Sequence, residues 1–374
     1  MKYDLIATST FGIEAITATE LKNLGYTDIK TENGRVNFKG DEEDIAKANI
    51  WLRTADRVLI KMAEFKAESF EELFQGAKAV DWWKLIPENG KMHVTGKSVK
   101  SKLFSVSDCQ AIVKKAVVEA MKRKYRREVF TEDGPVYKIE VAILKDIVTL
   151  TVDTSGPGLH KRGYRENAGE APLKETLAAA LVLISKWTPD RLLYDPFCGS
   201  GTIPVEAAMI GKNMAPGLRR SFVSEEWPNI DRSIWQKVRK EAEGAINDKE
   251  FIIFGSDKDG KILKTARENA IKAGVEAYTN FQKLPIEEFS SRKKYAYIIT
   301  NPPYGERLGE EKEVRKLYEI LGNLYKAHDE WSFFVLTSYY EFEKCFKRKA
   351  DKNRKLYNGR LLCYYYQYIN NAKK

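Results

Sequence analysis

Histidine is nearly missing from this chain, which carries three in 374 residues: His93, His160 and His328. Its four cysteines, Cys109, Cys198, Cys345 and Cys363, are scattered with no C-x-x-C pair. A zinc site or a disulfide framework therefore lacks its ligands, and no metal is expected. No G-x-x-x-x-G-K-[ST] occurs, so a Walker-type phosphate cradle for ATP chemistry is excluded. Long hydrophobic runs are also missing. None approaches the length that spans a bilayer, and the apolar residues of the amino end are broken by acid and hydroxyl groups, too short for a secretory core. The expectation is a cytoplasmic protein with no membrane helix.

What is present is globular composition, 43% hydrophobic and 31% charged, in a length that allows two to three domains. Acidic residues are scarce in two places. Residues 91–130 hold eleven Lys and Arg against three acids, and residues 341–374 hold ten against three, around a body that is neutral or slightly acidic. Clustered basic charge is the footprint of a polyanion. Lys97, Lys100, Lys102, Lys122, Arg123, Lys124, Arg126 and Arg127 are the candidate contacts, the last five packed around Tyr125. A merely solvated face is the alternative.

The first half alternates short strands and helices. Strands are predicted over 3–9, 28–39 (two, turned at Asn33-Gly34), 57–65, 91–99 and 137–152 (two), with helices over 11–24, 41–51, 69–80 and 107–124. No glycine-rich loop follows these strands, so residues 1–155 read as small α+β binding modules. Asp153-Thr154-Ser155-Gly156-Pro157-Gly158 marks the main boundary. Beyond it a helix from Pro172 to Trp187 leads into strands at 191–194, 251–255, 278–281, 295–300 and 331–337, separated by helices at 202–211, 231–247, 258–274 and 313–328. That alternation means a parallel, doubly wound sheet. An Asn358-Gly359 hairpin closes it with an antiparallel strand.

Asn301-Pro302-Pro303-Tyr304 follows the apolar run 295–300, hence lies at the carboxyl end of a strand, where ligands collect in open α/β sheets. Two prolines remove two N–H donors. The amide oxygen of Asn301 and the carbonyl of Pro302 can then hold an exocyclic aromatic amine, with the ring of Tyr304 flat on its base. Weak acceptors of this kind orient an amine toward an electrophile, and the implied electrophile is a methyl sulfonium. The other half of the site is Asp195-Pro196-Phe197-Cys198-Gly199-Ser200-Gly201-Thr202. Gly199 and Gly201 permit close backbone approach, the helix from Thr202 offers N–H groups to a carboxylate, and Asp195 can meet an ammonium. Asp257, ending the next strand, can accept two ribose hydroxyls, or can simply cap the helix that follows.

At these residues the chain resembles the class I S-adenosyl-L-methionine-dependent methyltransferases, and more narrowly the bacterial THUMP-containing enzymes that make N2-methylguanine in 23S ribosomal RNA. The match runs over nearly the whole chain, through Arg162-Gly163-Tyr164-Arg165, Pro172-Leu173-Lys174-Glu175, 195–202, Asp257 and the extended run 301–308 ending Gly305-Glu306-Arg307-Leu308. The resemblance implies a ferredoxin-like segment at 1–55, a THUMP RNA-binding domain at 56–155, a linker at 156–172 and a Rossmann-like methyltransferase domain at 173–374. It implies catalytic roles for Asn301, Pro302, Pro303 and Tyr304, and cofactor contacts from Asp195, Phe197, Gly199, Gly201, Thr202 and Asp257. The family's usual acid on the cofactor adenine is missing after the third strand of this half, where Asn280-Phe281-Gln282-Lys283 stands. Gln282 or a backbone group takes that contact, or Gln282 is an ordinary surface residue.

The implied partner is RNA, 23S ribosomal RNA or a large-subunit assembly intermediate. Adenine N6 in RNA or DNA and a glutamine side-chain amide offer a similar planar amine to the same site. A non-catalytic RNA-binding assembly factor on a methyltransferase scaffold is the reading from another class.

Overall fold

The computed structural model describes residues 1–165, 173–305 and 311–370. Two compact units share the chain: one holds Met1–Ser9, Leu21–Leu159 and Arg220–Glu241, the other Thr10–Glu20, His160–Arg219 and Ala242–Lys374. Pro172 and Glu306 to Leu308 lie outside the described residues.

The first unit is built on strands β1 (Tyr3–Ser9), β2 (Lys30–Glu32), β3 (Arg35–Gly40), β4 (Ala55–Lys66), β5 (Lys91–Val99), β6 (Val136–Leu144) and β7 (Ile147–Asp153), ordered β2-β3-β1-β4-β7-β6-β5. The modules that the sequence suggests are therefore one continuous sheet, because the twelve-residue β4 pairs with β1 on one side and β7 on the other. Alternation sets its faces: Tyr137, Ile139, Val141 and Ile143 of β6 are buried while the residues between them are less so. Four helices begin in the first half: α1 (Glu14–Asn23), α2 (Glu42–Trp51), α3 (Phe70–Lys78) and α4 (Val106–Tyr125). Asp41 and Asp44 close a capping box on α2, as Ser69 and Glu72 do on α3. The helix expected from Phe11 begins only at Glu14, because Gly12 sits at φ +96° with its α-carbon against the Lys355 carbonyl, where a Cβ would stand 2.4 Å away.

The second unit carries α5 (Glu175–Ser185), β8 (Leu193–Asp195), α6 (Thr202–Gly211), β9 (Ile253–Asp257), α8 (Gly260–Ala273), β10 (Thr279–Lys283), β11 (Tyr297–Thr300), α9 (Glu311–Ala327), β12 (Ser332–Thr337), α10 (Phe342–Phe346), β13 (Lys352–Asn358) and β14 (Leu361–Tyr368). The remaining helix, α7 (Arg232–Gly244), lies mostly in the first unit. Strand order is β10-β9-β8-β11-β12-β14-β13, parallel through β12 and antiparallel at β14 and β13. Successive side chains feed two cores: Ile299, Phe334, Leu336 and Tyr365 join the α5, α6 and α8 side, and Ile298, Phe333, Val335 and Tyr366 the α9 and α10 side. Burial on both faces explains why all six residues of β12 are buried. Among the described residues no helix is long and apolar enough to cross a membrane, and no cluster of His, Cys, Asp and Glu is arranged to hold a metal ion.

Candidate functional site

The carboxyl ends of β8, β9 and β11 converge on one place. Asp195 closes β8 at 2% exposure, and its Oδ1 accepts the Thr300 hydroxyl at 2.6 Å and the Phe197 N–H at 3.2 Å, tying β8 to the end of β11. Burial pushes its carboxyl up to about 7. A folded pKa above the ordinary 3.8 means that the folded state holds the extra proton between about pH 4 and 7, so Asp195's contribution to stability is present below that window and lost as pH rises through it. Asp195→Asn should thus gain stability relative to the parent from pH 5 to 8 in urea titrations; a pH-independent difference would show that the carboxyl is already ionised at pH 5.

From Asp195 the chain turns through Gly199 at φ +51° and Gly201 at φ +80°. At Gly201 a Cβ would stand 3.0 Å from both the Phe281 ring and Ala266. Two bonds pin the loop to β9: Cys198 N–H to the Ser256 carbonyl at 2.9 Å, and Gly199 N–H to Asp257 Oδ2 at 3.1 Å. Helix α6 then starts with Gly201 as N-cap and no side-chain cap bond, which leaves N–H groups for a ligand. Asp257 does not cap α8. Asp259 does, accepting from Lys261 N at 2.8 Å, while Asp257 Oδ1 accepts from Asp259 N at 2.9 Å.

Arg162-Gly163-Tyr164-Arg165 anchors the helices around this loop. Arg162 Nε and the Tyr164 hydroxyl both donate to Glu206 Oε1, at 3.3 and 3.1 Å, and Glu206 lies one turn into α6, fully buried. Arg165 pairs with Glu175 of α5 at 3.2 Å and donates to the Thr202 hydroxyl and the Leu173 carbonyl. Thr202 is thus held from behind. Sequence singles out these residues as a motif; only burial reveals the work they do.

A cavity of about 1010 Å³ opens beside the loop, walled by Asn301, Pro302, Pro303 and Tyr304 together with Pro196, Phe197 and Asp257. Its volume is at the upper end for small-molecule sites. The Tyr304 hydroxyl donates to Asn301 Oδ1, and burial holds that phenol protonated, so it acts as a donor and positions the amide. Tyr318 of α9 donates to the Pro303 carbonyl at 2.7 Å and shares a 2.8 Å bond with Thr337. The Pro302 carbonyl has no donor among the described residues and remains available. Gln282 is exposed and is not in the wall, whereas Ile286 and Glu287, a few residues on, are. Glu313 and Lys316, not singled out from sequence, also line it, as do Lys174, read only as part of a motif, and Asn358-Gly359-Arg360, read only as a hairpin turn. The turn was foreseeable in principle: β14 runs against β12, with Tyr364 opposite Thr337, so it must enter at the carboxyl edge.

The basic residues divide between the two ends of α4, a 20-residue helix about 30 Å long. Lys97, Lys100 and Lys102 lie at the end of β5 and in the loop before α4. Lys122, Arg123 and Lys124 form its last turn, Arg126 caps it at φ +54°, and Arg127 follows. Several carry local acids: Lys97 with Glu140, Lys102 with Glu68, Lys122 with Glu119 and Glu128, and Arg127 with Glu88.

Comparison with known proteins adds family to geometry. Residues 4–59 match the RlmL ferredoxin-like domain, 67–153 the THUMP domain, and 162–367 the RMKL-like methyltransferase domain. YpsC of Bacillus subtilis strain 168, provisionally named an RNA methyltransferase, is 51% identical over 370 residues, covering 98% of this chain and 96% of its own. A Listeria monocytogenes protein, provisionally described as an N6-adenine-specific DNA methylase, has a crystal structure with TM-score 0.95 at 50% identity, over 99% of this chain and 97% of that one. The methyltransferase-like SMU.472, crystallised with S-adenosylhomocysteine, has TM-score 0.95 at 46% identity over 100% and 99% of the two chains.

Proposed function

Because the chain belongs to the RMKL-like methyltransferase family, with an RlmL ferredoxin-like domain and a THUMP domain ahead of the catalytic sheet, we propose that it transfers a methyl group from S-adenosyl-L-methionine to the exocyclic N2 amine of a guanine in 23S ribosomal RNA. The observation that carries this reading is Asn301-Pro302-Pro303-Tyr304 in the cavity wall at the end of β11, with Asp257 in the same wall.

The residues fit the cofactor. Two left-handed glycines keep the loop close, the start of α6 has N–H groups for its carboxylate, and Asp257 borders the cavity with an acceptor for ribose hydroxyls, while Asp195, 2% exposed and outside the cavity wall, is assigned to its ammonium from its place just before the loop. S-adenosylmethionine, when bound, supplies an electrophilic methyl on a sulfonium. Asn301 Oδ1 and the Pro302 carbonyl accept the two N–H groups of the target amine and hold its lone pair in line. Tyr304 fixes the amide of Asn301, and Tyr318 fixes the turn by holding the Pro303 carbonyl. A base presented this way must leave its stack.

Tyr318→Phe removes one such tether. A single hydrogen bond contributes about 1 to 1.5 kcal/mol, so kcat should fall roughly tenfold with cofactor affinity unchanged. Steady-state kinetics beside calorimetric titration of S-adenosylmethionine reads both, and an unchanged kcat would remove Tyr318 from the account.

RNA as the substrate class is supported by the THUMP match and the name of the Bacillus relative, and N6-adenine by the description of the Listeria one. Nucleoside mass spectrometry of ribosomal RNA and of genomic DNA from strains with and without the gene separates them. Loss of one N2-methylguanosine is expected; loss of N6-methyladenosine instead, or no change, overturns the guanine reading.

A further inference from the structure

The amine end of the cavity cannot tell guanine from adenine. Asn301 Oδ1 and the Pro302 carbonyl accept from any exocyclic NH2, so the choice of base falls to the groups that meet its far edge. On guanine that edge carries two acceptors side by side, O6 and N7, whereas adenine with its N6 amine at Asn301 turns N3 that way. A guanine site therefore needs two coplanar donors across from Asn301, and the fork of an arginine supplies them.

Among the described residues four cations line the cavity: Lys174, Lys258, Lys316 and Arg360. The lysines are point charges on flexible stems, and Arg360 is the one guanidinium of the four. It is exposed and makes no ion pair among the described residues. It stands at the tip of the hairpin of β13 and β14, where Asn358 pairs with Leu361 and two residues close the turn. Gly359 at φ +64° takes the first place and Arg360, without a left-handed φ, the second, the pattern of a II′ turn.

That tip is held from three sides. β14 pairs with β12 as far as Tyr364 and Thr337. On the outer edge, within the same compact unit, Phe11 packs edge-on against Tyr357 at 6.0 Å and Arg354 Nη1 donates to the Gly12 carbonyl at 3.3 Å. Beneath it, Leu361 and Tyr304 pack on one core, and Asn358 lies within hydrogen-bonding reach of the Tyr304 hydroxyl that donates to Asn301. Turn and reacting amide are thus joined through one tyrosine. β14 stands two strands from β11, about 10 Å at ordinary sheet spacing, a gap that a purine ring and an arginine side chain fill together. We infer that Arg360 selects the base, its guanidinium donating to O6 and N7 of the guanine whose amine lies at Asn301, an assignment that rests on the guanine N2 reading above.

The test uses the full chain and two transcripts of 23S ribosomal RNA, one made with guanosine and one with 7-deazaguanosine in its place, which keeps the Watson–Crick edge and lacks only the N7 acceptor. On the deaza transcript the parent should lose about tenfold in kcat/KM, and on the guanosine transcript Arg360→Ala should lose about 10- to 100-fold, the worth of a bidentate base contact. Arg360→Ala should fall no further on the deaza transcript, because the partner of N7 is already gone. Arg360→Lys should recover only part of the loss, and calorimetry should give all three proteins the same affinity for S-adenosylmethionine. A deaza loss of equal size in parent and Arg360→Ala would trace to the folding of the RNA and overturn the assignment. So would a parent indifferent to N7 beside an alanine variant whose kcat/KM depends less steeply on salt, the mark of a phosphate contact. If N2 is methylated and Arg360→Ala matches the parent, Arg360 alone is removed while the guanine reading stands; methyl on adenine N6, or on neither transcript, fells both.

Discussion

Asn301→Ala is expected to lower kcat for methyl transfer by about 10²- to 10³-fold, the loss seen when one preorganised hydrogen-bonding group is removed from a reacting centre. Cofactor affinity should stay within a few-fold, because the proposed cofactor contacts come from the loop after β8 and from Asp257, not from β11. Two features make the effect large. The prolines supply no N–H, and the Pro302 carbonyl is already given to the amine's other N–H, so nothing beside Asn301 replaces its amide oxygen. Tyr304, which donates to Asn301 Oδ1, would lose that acceptor and no longer position an amide there. Single-turnover transfer of labelled methyl to RNA, beside calorimetry with S-adenosylmethionine, gives both quantities. A variant that loses affinity and rate in equal measure would move Asn301 from the reacting amine to the cofactor.

Glu206→Ala should be the most damaging substitution outside the reacting groups. Glu206 is 0% exposed and receives Arg162 and Tyr164, so its removal takes one shared carboxylate from a buried guanidinium and a buried hydroxyl at once. Breaking one side of a buried pair costs about 3 to 5 kcal/mol. For a unit of this size that is a fall in Tm on the order of 10 °C, readable by thermal and urea unfolding. Glu206→Gln keeps an acceptor for both donors and should recover part of the loss. A change below about 1 kcal/mol for the alanine variant would show that water reaches Arg162.

Sequence made the place of residues 301–304 at the end of β11 legible for a local reason. The apolar run of β11 and the four residues after it are contiguous, so strand and site are read together. The loop 195–202 was legible as a loop likewise, its two glycines standing between β8 and α6. What sequence did not show was non-local. The twelve residues of β4 join the two amino-terminal modules in one sheet, a pairing that no periodicity within either module displays. The Asn358-Gly359 turn reads as a hairpin, but its place in the cavity depends on β14 returning against β12. Residues 91–130 read as one basic cluster, because counting along the chain ignores that α4 carries its two halves about 30 Å apart. Asp257 could not be separated from Asp259 as the cap of α8 until the start of that helix was fixed at Gly260.

The chain crosses between its two compact units five times, after Ser9, Glu20, Leu159, Arg219 and Glu241. The units are therefore interlaced, and no single cut yields two whole halves. A fragment ending at Leu159 would lose Trp227, whose ring stacks on Tyr137 at 4.6 Å. A fragment starting at His160 would lose Ile13, a fully buried member of the core behind the cofactor loop. Grafting the second unit onto another scaffold thus requires transplanting three separate stretches of chain, Thr10–Glu20, His160–Arg219 and Ala242–Lys374.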